Sequence, residues 1–343
     1  MVVIGSGNTG MKLAQMFDKN AILLSTAEQD TNNYIAGKNI TVFSRYGAAK
    51  RFKIGSEIWA KNYDSLQKAL SGVSAETVML FSSFGGGSGS SSLLPISKIL
   101  IDNGCKILIV GALPFKKENN PALSNAVQSI NSLLPIIDKV SVMIFDNDKL
   151  IKKFDGRWDI INNHIIKTTD YIVNLVSKFS LDLYSPITID QSELESVVFG
   201  GGFIDFSSSF IEEGLPRFEY GAMDKLTKNC LMAMVVDSSI KQETVVDTYM
   251  NRLTEVIRKY SGRVANARLV SGILRASINM TNSSDPSIKD RCYFTIASGL
   301  SIDKYIKKLE KIKNSAISKA EAFAEKVRSE KILDSKESKV LDV

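Results

Sequence analysis

Two glycine-rich loops carry the residue types that bind phosphate. The first spans residues 5–10, with the sequence GSGNTG, and the second spans residues 84–91, with the sequence FGGGSGSS. Both follow an apolar run that predicts a strand, and both open a segment that predicts a helix. Small side chains let several backbone N–H groups approach phosphate oxygens, and a helix N-terminus adds partial positive charge. The two loops together predict a site for a polyphosphate.

The first loop alone favours a different ligand. GxGxxG between a strand and a helix is typical of dinucleotide-binding folds, and Glu28 and Asp30 follow about twenty residues on, where an acid holds the ribose. A Rossmann-type NAD(P)-dependent oxidoreductase is therefore an alternative. Such an enzyme has no use for the second loop, and the apolar runs that flank residues 84–91 disfavour a flexible linker. Neither GxxxxGKS nor GxxxxGKT is present, which excludes a P-loop NTPase.

The rest of the composition excludes several kinds of chemistry. His164 is the single histidine, so a Ser–His–Asp triad or a multi-histidine metal site would have to be built around it, and we predict no metal-ligating site. Cys105, Cys230 and Cys292 are far apart and have no CxxC spacing, which indicates a reducing, cytoplasmic setting. The net charge of +6 indicates a solvated basic face. No apolar run has the length of a membrane span, so we expect no membrane partner.

The loops need a scaffold, and strand-like and helix-like segments alternate over the first half of the chain. This alternation predicts an α/β fold with a parallel sheet, which binds ligands at the carboxyl ends of its strands. A long helical pattern follows, then a break at Ser185-Pro186 and a second region. From Ser301 apolar residues recur at three- and four-residue steps, as on a long helix with one apolar face. We predict a nucleotide-binding domain at 1–157, a central helix at 158–184, a smaller α/β domain at 185–300, and a C-terminal helix and tail at 301–343.

The sequence GGGSGSS resembles the phosphate-binding signature of the tubulin/FtsZ superfamily, which is usually GGGTGTG or GGGTGSG. Further segments resemble motifs of that superfamily in the same order. They are residues 8–10 (NTG), 47–49 (GAA), 114–118 (PFKKE), 145–150 (FDNDKL), 169–170 (TD), 188–193 (TIDQSE) and 294–299 (FTIASG). The resemblance is greatest for the phage-encoded tubulins of the PhuZ and TubZ group. It implies that the domain at 1–157 is a Rossmann-like GTP-binding domain and that the domain at 185–300 is an activation domain.

The resemblance implies that GTP or GDP, accompanied by Mg²⁺, occupies the site. Glu118 matches the residue that contacts the ribose. Asn147 and Asp170 match those that read guanine, whose N1–H and N2–H₂ can both donate to one carboxylate, whereas adenine has no such pair of donors. The residues implied to bind GTP are Gly7, Asn8, Thr9, Gly10, Gly47, Ala48, Ala49, Gly85, Gly86, Gly87, Ser88, Gly89, Ser90, Pro114, Glu118, Asn147, Thr169 and Asp170.

Asp190 and Glu193 match the loop that, in the superfamily, completes the active site of the next subunit. The resemblance implies that they position the water for GTP hydrolysis when copies of the chain stack head to tail. Asp-x-x-Glu is also a helix capping box, so a structural role stays open.

The implied function is a GTPase that polymerises with itself into dynamic cytoskeletal filaments. By the same resemblance, these filaments position phage or plasmid DNA, through another protein, in the cytoplasm of a bacterial cell. A GTP-bound filament protein that does not hydrolyse its nucleotide is a further alternative.

Three positions depart from the superfamily pattern. Ser91 stands where the signature usually ends in glycine, Ala122 stands where an arginine is expected, and Thr169 stands where an asparagine or an aromatic residue is usual. Lys116 or Lys117 is a candidate source of the charge that the missing arginine would supply.

Overall fold

The computed structural model describes residues 1–33, 39–118, 120–177, 191–210, 228–237, 251–261, 268–276, 292–300, 302, 306–307 and 309–314. The strands are β1 (Val2–Ser6), β2 (Ile22–Ser25), β3 (Ile40–Val42), β4 (Thr77–Ser83), β5 (Lys106–Leu113), β6 (Val140–Asp146), β7 (Gly202–Phe210), β8 (Asn229–Asp237), β9 (Arg268–Ala276) and β10 (Cys292–Leu300). The helices are α1 (Gly7–Phe17), α2 (Phe52–Lys61), α3 (Tyr63–Ala69), α4 (Gly87–Asp102), α5 (Asn120–Leu133), α6 (Asn147–Lys153), α7 (Trp158–Ser177), α8 (Gln191–Val198) and α9 (Asn251–Ser261). Short 3₁₀ helices span Glu28–Asn33 and Leu134–Lys139.

The described strands form one sheet in the order β3-β2-β1-β4-β5-β6-β7-β10-β8-β9. From β3 to β7 every neighbouring pair is parallel. β10 runs antiparallel to both of its neighbours, and β8 and β9 are parallel. The sheet therefore continues from the region predicted as the first domain into the second through the β6–β7 pair, where Ser141 lies opposite Gly202.

The central strands are buried on both faces, and their side chains alternate between two apolar layers. In β4, Val78 and Leu80 join one layer, whereas Met79 and Phe81 join the other. The first layer packs against α2, α4 and α5, and the second packs against α1, α7 and α8. Strands covered on both faces read as continuous apolar runs, which is why this part of the sheet was visible in the sequence.

The start of the predicted C-terminal helix packs on the first layer. Ile302 and Leu309 are buried there, and Ile306 packs beside them. The predicted tail, with the rest of the apolar stripe from residue 315 onward, lies outside the described residues. Within the described ranges, no helix is both long and apolar enough to cross a membrane.

Candidate functional site

A cavity of about 440 Å³ lies where β1, β2, β4, β5 and β6 end. We call this side of the sheet the carboxyl edge. It is where ligands bind in parallel α/β sheets, and the volume is within the range of small-molecule sites. The wall includes thirteen of the residues predicted to bind GTP. They are Asn8, Thr9, Gly47, Ala48, Ala49, Gly85, Gly86, Gly87, Ser88, Gly89, Pro114, Glu118 and Asn147.

The two glycine loops touch each other beside the cavity, and glycine makes the contact possible. Gly7 has a φ of +68°, and a Cβ there would lie 2.7 Å from the Gly89 nitrogen. A Cβ on Gly10 would lie 2.4 Å from the Phe81 carbonyl oxygen. Because these are backbone atoms, they could not move aside cheaply. Gly7 and Gly10 do not line the cavity; they allow α1 to sit close to β4 and α4.

The second loop ends in the N-terminus of α4. Gly86 is the N-cap residue, and no side chain caps the helix. The first N–H groups of a helix have no partner within the helix, so those of residues 87–89 can donate to an anion at the cavity wall. The Ser88 hydroxyl accepts a hydrogen bond from the Thr26 N–H at 3.3 Å, and the Trp59 indole N–H donates to the Ser88 carbonyl at 3.1 Å. These two bonds fix the loop against β2 and α2.

The next two serines turn their hydroxyls back into α4. Ser90 donates to the Gly86 carbonyl, and Ser91 donates to the Gly87 carbonyl at 2.6 Å. Ser90 is fully buried and does not line the cavity. The chain accommodates Ser91, which departs from the family signature, because Gly55 faces it: a Cβ at Gly55 would lie 2.2 Å from the Ser91 hydroxyl oxygen.

A third loop, residues 47–51, closes the cavity on the α2 side. Gly47, Ala49 and Lys50 have φ values of +71°, +46° and +55°. Left-handed backbone at residues other than glycine costs on the order of 1–3 kcal/mol and persists only where the surroundings hold it. Here the Arg51 N–H donates to the Ala48 carbonyl at 2.8 Å. Lys50 is exposed and lines the cavity, so it brings a positive charge to the site.

Glu118 lies on the wall opposite, at the end of the turn that begins with Pro114. Burial raises the pKa of the Glu118 carboxyl, against the opposing effects of its hydrogen bond with the Phe115 backbone and the nearby Lys50 charge. The Asp148 carboxylate holds the turn, since both of its oxygens accept from the Lys116 N–H at 3.1 Å.

Asn147 is the first residue of α6 and lines the cavity directly after β6. Thr169 and Asp170 lie on α7, which packs against α1, and neither lines the cavity. Thr169 is fully buried, and its hydroxyl has no hydrogen-bond partner among the described residues.

Several wall residues were not among those predicted to bind GTP, and of these Asp30 was named only for the dinucleotide alternative. They are Thr26, Ala27, Gln29, Asp30, Tyr46, Lys50, Ser83, Ala112, Leu113 and Ala122. Thr26 is fully buried, and its hydroxyl has no partner in the described part of the chain, which leaves it available to a ligand. Asp30 accepts a hydrogen bond from the Ser25 hydroxyl at 2.7 Å. The sequence signal for Thr26 was its place directly after an apolar run that ends in Ser25. Thr26 lines the cavity because β2 pairs with β1, and that pairing is not visible in the sequence.

Of the two predicted hydrolytic residues, the structure describes Glu193. Asp190 lies outside the described residues. Glu193 is in the first turn of α8, and its carboxylate pairs with Arg268 at 3.1 Å. It does not line the cavity.

Contacts of α8 place it at the opposite side of the sheet, which we call the amino edge. Glu195 pairs with Lys106, the first residue of β5, and Asn229, the first residue of β8, donates to the Ser196 carbonyl at 3.0 Å. The far end of β5, at Ala112 and Leu113, lines the cavity. With eight residues in β5 and a rise of about 3.3 Å each, α8 and the cavity are separated by roughly 20 Å.

A cavity at the carboxyl edge of a parallel sheet, walled by glycine loops and a helix N-terminus, defines a phosphate-binding α/β domain. The sequence model of the Tubulin/FtsZ family, GTPase domain, matches residues 2–155. Residues 2–155 therefore match the GTPase domain of the tubulin/FtsZ family, as the motifs predicted.

Curated relatives agree with this assignment. The cell division protein FtsZ of Methanothermobacter thermautotrophicus is 24% identical over 62% of this chain and 57% of its own length. FtsZ of Wigglesworthia glossinidia brevipalpis is 24% identical over 75% of this chain and 65% of its own length. The chain thus spans less than two thirds of either relative. The tubulin-like protein CetZ of Thermococcus kodakarensis is 24% identical over 90% of this chain and 84% of its own length.

Solved structures share the fold over nearly the whole chain. A GTPγS-form protofilament of TubZ from Bacillus thuringiensis serovar israelensis has a TM-score of 0.75 at 16% identity and covers 94% of each chain. CetZ2 from Haloferax volcanii, in a GTPγS-bound protofilament, has a TM-score of 0.67 at 18% identity and covers 93% of this chain and 99% of its own. The predicted α/β tubulin/FtsZ-like fold is confirmed.

Proposed function

We propose that this chain binds GTP at the carboxyl edge, assembles with copies of itself into filaments, and hydrolyses the GTP where subunits meet. The observation that carries the proposal is the cavity wall, where two glycine loops and the N-terminus of α4 converge. The wall fits a nucleoside triphosphate because it offers backbone donors, the positive charge of Lys50 and the Thr26 hydroxyl, which has no partner among the described residues. Mg²⁺ would accompany the phosphates and neutralise part of their charge.

Each part of the nucleotide has candidate partners in the chain. The loops at residues 8–9, 47–49 and 85–89 would hold the phosphates. Glu118 would bind the ribose. Asn147 would read guanine from the cavity wall, and Asp170 would read it from α7, which packs against α1.

Hydrolysis at the subunit interface is supported by the separation of the two edges. Because α8 lies roughly 20 Å from the cavity of its own chain, Glu193 cannot reach the nucleotide bound there. Head-to-tail stacking would bring the amino edge of one copy against the carboxyl edge of the next, and such a heterologous contact generates an open filament. Asp190 and Glu193 would then position the attacking water on the neighbour's GTP.

Light scattering and phosphate release, recorded together with GTP, GDP or ATP, test the proposal. We expect scattering and phosphate release with GTP alone, and a rate per subunit that rises with protein concentration. Turnover of GTP without scattering, at a rate per subunit independent of concentration, would contradict the proposal. An NAD(P)-dependent oxidoreductase is not favoured, since the family match covers the first glycine loop.

A filament protein that binds GTP without hydrolysis is the second candidate. The observation in its favour is the ion pair with Arg268, which engages Glu193 in the isolated chain. The same experiment separates the two candidates, because this one predicts scattering with GTP and no phosphate release.

The cellular role that we propose is positioning of phage or plasmid DNA, through another protein, in a bacterial cytoplasm. Its support is the likeness to the phage and plasmid tubulins at the glycine loops. A fluorescent fusion expressed in bacteria should form filaments whose ends or sides coincide with the labelled DNA. The domain boundaries at 157, 184 and 300 belong to the same proposal.

A further inference from the structure

We propose that Asn125 is a positioning residue that holds two of the phosphate loops at a fixed spacing; this inference rests on the proposed function. Asn125 lies on α5, is 3% exposed and does not line the cavity. Its side-chain amide nitrogen donates to the carbonyls of Lys50 and Gly85, each at 2.9 Å. Its side-chain oxygen accepts from the Phe52 N–H at 3.0 Å. One buried amide therefore joins the third loop, the second glycine loop and the start of α2.

The bond to Gly85 sets the direction of a peptide group at the cavity. In a trans peptide the carbonyl and the following N–H point in opposite directions. Because the Gly85 carbonyl points to Asn125 on α5, the Gly86 N–H points away from α5. Gly85 and Gly86 both line the cavity, so this bond fixes the orientation of a peptide group in the cavity wall.

The bond to Lys50 holds the third loop in its left-handed conformation. Ala49 and Lys50 both have positive φ, and neither is glycine. The loop has its own Arg51–Ala48 hydrogen bond, and the Arg51 carbonyl accepts from the Gly55 N–H of α2 at 3.1 Å. Asn125 adds two side-chain anchors to this backbone, at Lys50 and Phe52. The third loop also packs on α4, where a Cβ at Gly87 would lie 2.6 Å from the Arg51 nitrogen. A shift of the third loop or of the second glycine loop therefore changes the spacing between these two loops.

Asn125→Ala tests the assignment, and Ser129→Ala is the matched control. Ser129 lies one turn further along α5, is fully buried, and donates to the Ser90 carbonyl of α4 at 2.9 Å. Each variant removes buried side chain–backbone hydrogen bonding between α5 and the body of the domain. Ser129 bonds Ser90, which does not line the cavity, whereas Asn125 bonds Lys50 and Gly85, which do. Fluorescently labelled GTP is titrated into each variant, and urea unfolding of each is measured alongside.

We expect Asn125→Ala to raise the Kd for GTP about tenfold, the effect of losing polar contacts that order a site. We expect Ser129→Ala to leave the Kd unchanged and to lower stability less, because it removes one side-chain hydrogen bond and not three.

Hydrogen exchange of the nucleotide-free protein supplies a second measurement. Asn125→Ala should accelerate exchange at residues 47–52 and 85–89 together, and Ser129→Ala at neither. Equal Kd changes in the two variants, or unchanged exchange in the loops of Asn125→Ala, would overturn the assignment. If Asn125→Ala does not fold, Asn125→Ser, which cannot bond both carbonyls, is judged by the same criteria. A wild-type chain that binds no guanine nucleotide would refute the proposed function, and loop exchange would still decide the role of Asn125.

Discussion

The two edges of the sheet are built in different ways. The carboxyl edge consists largely of backbone and small side chains, packed so closely that glycine is required at Gly7, Gly10 and Gly87. The amino edge around α8 instead presents charged side chains in solvent-exposed ion pairs, with Arg268 and Lys106 more than half exposed. Exposed ion pairs contribute at most about 1 kcal/mol each and exchange partners readily. The difference indicates that the carboxyl edge is pre-formed for a ligand, whereas the amino edge is free to rearrange against a neighbour.

The largest expected effect is on hydrolysis, through the amino edge. Glu193→Gln and Asp190→Asn should each lower the rate of phosphate release by about a hundredfold, because a positioned carboxylate of this kind contributes about 10²–10⁴-fold. The Kd for GTP should not change, since the cavity of the same chain is untouched. Phosphate release and labelled-GTP binding measure the two quantities, and the variants should form long-lived filaments.

Glu195→Gln is the control for the amino edge. It lies on the same helix and loses a similar ion pair, the one with Lys106. It should retain hydrolysis close to that of the wild type. If Glu195→Gln and Glu193→Gln lower the rate equally, α8 acts through general packing and the assignment of Glu193 is wrong.

The next largest effect is expected at the carboxyl edge. In Gly87→Ala the new Cβ would lie 2.6 Å from the Arg51 nitrogen and 2.9 Å from the Ala48 Cβ, which forces the second and third loops apart. Overpacking of this kind costs about 1–3 kcal/mol, which corresponds to about 5- to 150-fold weaker GTP binding if the loops bear the strain. A labelled-GTP titration measures it.

Gly72→Ala is the matched control, because no heavy atom lies within 4 Å of the position that its Cβ would take. It should bind GTP like the wild type. Normal binding by Gly87→Ala would show that the cavity is less rigid than its packing indicates.

A smaller effect concerns the choice of base. Asp170→Ala should reduce the preference for GTP over ATP by about tenfold, since an unpaired polar group on the base costs about 1–3 kcal/mol. Competition of unlabelled ATP and GTP against labelled GTP measures the ratio. An unchanged ratio would assign base recognition to Asn147 and other wall residues, and would leave Asp170 a structural residue of α7.

The smallest effect is a pH dependence of stability from Glu118. Burial raises the pKa of this carboxyl above its ordinary value of 4.5, so the folded chain holds the proton to a higher pH than the unfolded chain does. The stability that Glu118 contributes is therefore fully present below pH 4.5 and is lost as the pH rises through the raised pKa. The free energy of unfolding, measured with urea on the nucleotide-free protein at a series of pH values, should therefore fall less with rising pH in Glu118→Gln than in the wild type. The exposed Glu57→Gln is the control, and a decline that persists unchanged in Glu118→Gln would contradict the prediction.

The parts of the carboxyl edge that are local in sequence were predictable. Residues 85–89 predict a phosphate loop because glycine runs between apolar segments have few other uses. The buried strands were predictable because they are apolar runs in the sequence. Thr26 was missed as a wall residue, and Asp30 was named only for the dinucleotide alternative, because the position of both depends on β2 lying beside β1, which is a tertiary contact. The left-handed backbone at Ala49 and Lys50 was missed as well, since neither residue favours it and the surrounding hydrogen bonds impose it. Asn125 gave no signal, because its three bonding partners come from distant parts of the chain.

The continuity of strand β5 between the two edges has a mechanical consequence. Its first residue pairs with α8 and its last residues line the cavity, so a stack of subunits joined edge to edge would carry tension along covalent backbone. Neighbouring strands would then be loaded in shear, with many hydrogen bonds sharing the force, and would not be peeled apart one bond at a time. Under a pulling load, such a filament would fail at the junctions between subunits before any subunit unravels.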